Sequence, residues 1–203
     1  MKGKVIGIIG SPGCGKTFLA KQLQKKLNSV VLYEETETSF PQEIQNNLGA
    51  RKNLFETIVW FRNEQVSTAL QANKIANEGK HVILDSTIYQ SQLYIELYIK
   101  KLFQKTILNN LHTNDKLVFP LPDILIYISA SQSEILEFLD KRSGLRVWEK
   151  NDWNLYLSRM AEIVEKYFKK NKDNYPNLII IKRKDYDFNN PNDIKKLMSK
   201  III

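Results

Sequence analysis

Gly10-Ser11-Pro12-Gly13-Cys14-Gly15-Lys16-Thr17 fits the pattern G-x-x-x-x-G-K-[ST], a phosphate-binding loop. Its flanks match the motif. Lys4-Val5-Ile6-Gly7-Ile8-Ile9 is apolar and rich in β-branched residues, which predicts a buried parallel strand. Phe18–Leu27 carries apolar residues at 19, 20, 23 and 27, one stripe of a helix. Glycines let successive N–H groups converge on phosphate oxygens, and the helix behind them adds its positive end. Lys16 supplies a point charge toward the outer phosphates, and Thr17 a hydroxyl for Mg²⁺. Gly10 to Thr17, including Pro12 and Cys14, is therefore the expected ATP site.

The 203 residues suffice for one domain with a substantial core, and 43% hydrophobic with 26% charged residues is ordinary for a globular chain. No apolar run reaches the roughly 20 residues of a membrane span. Cys14 is the only cysteine, so no intramolecular disulfide forms. Together with the absence of a signal-peptide pattern, it leads to an expectation of a cytoplasmic protein. Helix-end charge can lower a thiol pKa at such a place, but a small loop residue is the simpler reading. His81 and His112 are the only histidines, too few for a Cys/His zinc cluster. The net charge of +8 fits a polyphosphate site and solvated lysines. Nucleic-acid binding is not expected, because the lysines are dispersed and no aromatic–basic interleaving accompanies them.

Five strands are expected, at 3–9, 29–33, 81–85, 123–129 and 177–182. Helical patterns fall at about 16–28, 53–79, 88–109, 132–142, 151–171 and 191–199, with a loop over Asn114–Pro120. The alternation predicts an α/β fold, a five-stranded parallel sheet with helices on both faces. Ligands of such sheets sit beyond the carboxyl ends of the strands. After the second strand comes Glu34-Glu35-Thr36-Glu37, either an exposed acidic turn or a base for an acceptor hydroxyl. After the third comes Asp85-Ser86-Thr87, where Asp85 can hold Mg²⁺, orient the acceptor, or cap the next helix, with Ser86 and Thr87 as alternative caps. Phe55, Trp60 and Phe61 on the long helix read as core, or as a platform for a planar substrate. The basic segment 140–150 contains Arg142 and Arg146, either a solvated helix end or a lid closing on a transferring phosphoryl group.

The order of these parts resembles the deoxyribonucleoside kinase family, among the thymidylate-kinase-like P-loop kinases, over nearly the whole chain. Tyr33-Glu34-Glu35-Thr36-Glu37 is similar to the family's E-[PE]-V segment, and Leu84-Asp85-Ser86-Thr87-Ile88-Tyr89 to its [DE]-R-S-[IV]-Y. Pro122–Ile128 resembles P-D-L-x-I-Y-L, and Arg142 with Arg146-x-x-Glu149 its lid at about 141–150. The resemblance implies a single kinase domain over 1–203 that uses ATP and Mg²⁺. It implies Glu34 as general base, Lys16, Asp85, Arg142 and Arg146 around the transferred group, and Thr17 with Asp85 at the metal. Phe55, Ile58, Trp60, Gln65 and Tyr89 would face the acceptor.

Four positions depart from the family. The arginine after the acidic strand end is Ser86. The Gln–Arg pair that reads the base falls on Ile58 and Gln65, and a further base-contacting Asp is Ser91. The expected activity is transfer of the ATP γ-phosphoryl to the 5′-hydroxyl of a nucleoside-like small molecule, with loose discrimination between bases. A nucleoside monophosphate acceptor, or nucleotide binding without catalysis, are the alternatives. The long helices would also suit a homodimer.

Overall fold

Val5-Ile6-Gly7-Ile8-Ile9-Gly10 is buried at every position, because β-branched residues with no polar alternation need cover on both faces. This is β1 (Val5–Gly10), the centre of the sheet. The computed structural model describes residues 2–11, 13–33, 39–140, 163, 166 and 177–201. The expected helix 151–171 and the segment 141–150 lie outside the described residues, apart from two isolated positions.

In chain order, β1 is followed by α1 (Lys16–Leu27), β2 (Val30–Leu32), α2 (Gln42–Ala50) and α3 (Leu54–Asn77). Then come β3 (Val82–Asp85), α4 (Ile88–Tyr98), α5 (Leu102–Val118), β4 (Ile124–Ser129) and α6 (Gln132–Asp140). The described chain ends with β5 (Leu178–Lys182) and α7 (Pro191–Met198). The five strands pair in the order β2-β3-β1-β4-β5, all parallel. That is the expected five-stranded parallel sheet.

Alternation along the strands sorts the core into layers. Ile6 and Ile8 of β1, with Ile126 and Ile128 of β4, face Leu19 and Leu23 of α1 and Ile194 and Leu197 of α7. Ile9, Leu125 and Tyr127 face the other way, against Tyr89 and Leu93 of α4 and Ile135 of α6. Val5, Val82 and Leu84 meet Ala72 and Ala76 of α3, where small residues let the helix approach the strands.

The structure revises three sequence expectations. A helix over 88–109 is instead two, since Ile99 and Lys101 are extended. Ile99 is 5% exposed there, turned into a cluster with Ile58, Ile95 and Leu108, and that burial breaks the run. The loop expected at Asn114–Pro120 is helical through Val118. Asp115 is the buried residue of that segment and continues the inward stripe of Leu108 and His112 at helical spacing, while Leu117 and Val118 stay exposed. The short α2 was not anticipated, because Ile44 and Asn47 are the only buried residues of an otherwise polar segment.

Candidate active site

The phosphate loop leaves β1 at Gly10 and enters α1 at Lys16. Gly10, Gly13 and Gly15 have φ of 154°, 80° and 97°. At Gly10 a side chain is excluded by space as well, since a Cβ would come within 2.8 Å of both Cys14 Sγ and Ile128 O. The Gly10 N–H donates to Gln90 Oε1 at 3.2 Å, and the Cys14 N–H to Ser11 O at 3.3 Å. Lys16 Nζ donates to Gly10 O at 3.2 Å and Ser11 O at 3.4 Å, so the ammonium lies over the loop. Pro12 lies outside the described residues.

Cys14 is fully buried, and burial pushes its thiol pKa up despite the pull of Lys16. It packs with α1 and α7 as a neutral loop residue rather than an activated thiolate.

Asp85 ends β3 next to the loop, in register with Ile8 of β1. Thr17 Oγ1 donates to Asp85 Oδ2 at 2.5 Å. Asp85 is 5% exposed, and its Oδ1 has no hydrogen-bond partner among the described residues. The capping role belongs to Thr87, whose hydroxyl accepts from the Tyr89 N–H at 3.2 Å. Asp85 is thereby left with an orphaned buried oxygen beside a hydroxyl. That donor pair fits Mg²⁺, which takes one or two protein oxygens and completes its shell with phosphates and water. No group of three or more His, Cys, Asp or Glu forms a metal cluster among the described residues.

A cleft of about 400 Å³, part of it open to solvent, adjoins Asp85. Phe40, Trp60 and Phe61 form one wall, in edge-to-face contacts with centroids 4.9 to 5.3 Å apart. Glu64, Gln65 and Thr68 of α3 continue it, and Tyr33, Asp85 and Ser86 lie toward the strand ends. Gln65 Nε2 donates to Ser86 Oγ at 3.3 Å, and Ser91 Oγ donates to Gln65 Oε1 at 2.5 Å. Ser86 has φ of 88°, unusual for a residue with a Cβ, and its N–H donates to Ile8 O at 3.1 Å.

Of the expected acceptor residues, Trp60 and Gln65 line this cleft. Phe55, Ile58 and Tyr89 do not. Ile58 is 3% exposed in the α3–α4–α5 cluster and Phe55 packs against that cluster. Tyr89 is 2% exposed against β1 and β4, because the first turn of α4 sends it under the sheet. Phe40, Glu64 and Thr68 were missed. Glu64 and Thr68 follow from helical spacing once Gln65 and Phe61 are placed, whereas Phe40 sits in an irregular segment with no periodicity to read. Glu34, Arg142 and Arg146 lie outside the described residues.

Behind α3, Arg62 forms a two-pronged ion pair with Asp115 of α5, with Nε 2.7 Å from Oδ2 and NH2 against Oδ1. The carboxylate holds the guanidinium pKa above its ordinary value. This pair fixes the helix whose opposite face forms the cleft wall.

The AAA domain family matches residues 5–138. A thymidylate kinase from Thermoanaerobacter sp. (strain X514) is 30% identical over 167 residues, 77% of this chain and 79% of that one. Among solved structures, deoxyadenosine kinase from M. mycoides superposes with a TM-score of 0.80 at 19% identity, covering 97% of this chain and 98% of that one. Thymidylate kinase from Candida albicans superposes with a TM-score of 0.66 at 21% identity, covering 98% and 91%.

Proposed function

Because this chain belongs to the AAA-domain P-loop proteins, among the thymidylate-kinase-like nucleoside and nucleotide kinases, we propose that it transfers the γ-phosphoryl of ATP to the 5′-hydroxyl of a nucleoside. The observation that carries the choice of an uncharged acceptor is the lining of the cleft. Among the described residues it contains no arginine, lysine or histidine, and it contains two carboxylates, Glu64 and Asp85. A phosphate dianion brought there would face the Glu64 carboxylate, with no arginine, lysine or histidine in that lining to offset it. A neutral heterocycle meets aromatic edges and amide or hydroxyl groups instead.

ATP with Mg²⁺ supplies the phosphoryl group and most of the charge neutralisation. In this reading, the loop from Gly10 to Thr17 holds the phosphates through those of its N–H groups not bonded within the protein, and Lys16 reaches the outer ones. Thr17 and Asp85 hold the metal, and Phe40, Trp60 and Gln65 position the acceptor. Glu34 takes the hydroxyl proton, and Arg142 and Arg146 close over the phosphates. Most of the rate comes from positioning.

The test is ADP release with Mg·ATP across deoxyribonucleosides, ribonucleosides and nucleoside monophosphates. Release driven by nucleosides supports the proposal, and release driven only by monophosphates refutes it. Monophosphates are the second reading, favoured by the thymidylate kinase relatives and the net charge of +8. Association as a homodimer belongs to the same reading. Phe103 and Leu117, 77% and 81% exposed, share one face of α5, with Thr106, Asn110 and Thr113 between them and no charged residue. Light scattering of Phe103→Lys/Leu117→Lys against the parent tests that face.

A further inference from the structure

Gln65, Ser86 and Ser91 are 6%, 5% and 2% exposed, three polar side chains gathered from α3, the end of β3 and α4. Each is a position at which the sequence departs from the pattern it otherwise resembles. In the structure they bond to one another, Ser91 Oγ to Gln65 Oε1 and Gln65 Nε2 to Ser86 Oγ. A side-chain amide has two N–H donors and two acceptor lone pairs. Two of these four valences are used here, which leaves one N–H and one lone pair. Gln65 and Ser86 both line the cleft, beside the Phe40–Trp60–Phe61 wall. The remaining valences are therefore the polar edge that wall offers to a planar ligand.

We propose that Ser86, Gln65 and Ser91 form the acceptor-reading unit, a hydroxyl–amide–hydroxyl chain of reversible polarity that takes bases presenting either an amino or a keto edge. This deepens the nucleoside reading and rests on it. A guanidinium can only donate and a carboxylate can only accept, so a unit built from them has one polarity. Every member of this chain does both. Turning the Gln65 amide by half a rotation exchanges its oxygen and nitrogen without moving the heavy-atom positions. Ser86 then donates to the amide oxygen and Ser91 accepts from the amide nitrogen, so neither bond is lost. The free N–H and the free lone pair thereby exchange places along the edge. An amino–acceptor edge (cytosine, adenine) and a keto–donor edge (uracil, hypoxanthine) both find a complementary partner. Ser86 adopts a backbone conformation that a Cβ disfavours, which marks a position held for a purpose other than stability.

The consequence is a flat preference where fixed hydrogen-bonded sites give selectivities on the order of 10⁴ to 10⁵. The experiment compares deoxycytidine with deoxyuridine, and deoxyadenosine with deoxyinosine. Dissociation constants come from calorimetry and turnover from ADP release, for the parent, Gln65→Glu and Gln65→Leu. Expected are parent ratios within about tenfold and a shift of about tenfold or more toward the amino member of each pair in Gln65→Glu, an acceptor-only side chain. In Gln65→Leu all four nucleosides weaken by about tenfold or more, while Mg·ADP affinity stays within about twofold. If Gln65→Glu does not fold, the parent ratios and Gln65→Leu decide. Parent ratios above about tenfold, or parent-like nucleoside binding by Gln65→Leu, overturn the proposal. Binding with the expected ratios but no ADP release refutes the kinase reading and leaves the reading unit standing. No binding of any nucleoside refutes both.

Discussion

Thr17 and Asp85, 68 residues apart in sequence, share a hydrogen bond of 2.5 Å between hydroxyl and carboxylate. The bond joins the first turn of the helix behind the phosphate loop to the end of the neighbouring strand. It can form because β1 and β3 pair in parallel with Ile8 opposite Asp85. Asp85→Asn retains a hydrogen-bonding oxygen but loses the charge for a divalent cation. Turnover is expected to fall by about 10²-fold or more, with a raised Mg²⁺ requirement, while metal-free ADP still binds. Titrating activity against Mg²⁺ checks this. An unchanged Mg²⁺ midpoint would remove Asp85 from the metal site.

Gly10→Ala strikes the loop itself. The added methyl would press on the Ile128 carbonyl and on Cys14 Sγ, both at 2.8 Å, with φ at 154°. Ile128 lies in β4 and cannot yield without disturbing the central sheet. We expect a loss of about 2 kcal/mol in stability and about tenfold or more in nucleotide affinity. Urea denaturation and ADP calorimetry read the two effects separately. Parent-like values in both would show that the loop relaxes around the methyl.

What the sequence made legible was what short-range pattern encodes. The strand before Gly10, the helix after Lys16 and the acidic end at Asp85 each stand on local spacing, and the strand alternation dictates the sheet. The acceptor side was harder to read. Ile58 and Tyr89 sit at positions that a resemblance assigns to the pocket, but each is drawn into an apolar cluster by its neighbours. Phe40 comes from an irregular segment and joins Trp60 and Phe61 only in three dimensions. The mutual bonding of Gln65, Ser86 and Ser91 was equally hidden. Three separate departures from a pattern give no sign in one dimension that they compensate one another.

Arg62 and Asp115 make a second long-range pairing, and Asp115 is only 3% exposed. Arg62→Ala would leave that carboxylate buried without its partner, at an expected cost of about 3–5 kcal/mol. The double variant Arg62→Met/Asp115→Leu removes both charges and keeps the volume, so it should recover most of that loss. Chemical denaturation of the two variants and the parent tests the point. A double variant as unstable as Arg62→Ala would mean that the loss is one of packing, through the Arg62 stem and the Phe119 ring beneath it.

His112 predicts the acid limit of the fold. It is 3% exposed, and neither ring nitrogen has a hydrogen-bond partner among the described residues. Burial pushes its pKa down from 6.5 to about 4, with Lys116 adding to the shift and Asp115 opposing it. Across the α4–α5 contact it faces the Tyr89 ring, 6.3 Å away. The folded chain therefore keeps this imidazole neutral through a range in which the unfolded chain binds a proton. Between pH 6.5 and about 4 the unfolded state holds more protons, so stability falls as the pH is lowered through that window. The full effect is on the order of 3 kcal/mol, with about 2 kcal/mol lost by about pH 5. His112→Leu removes the titration. The melting temperature of the variant minus that of the parent, followed from pH 7.5 to 5, should rise as the parent loses stability faster. Parallel curves would mean that the imidazole is solvated in the native state and titrates as it does in the unfolded chain.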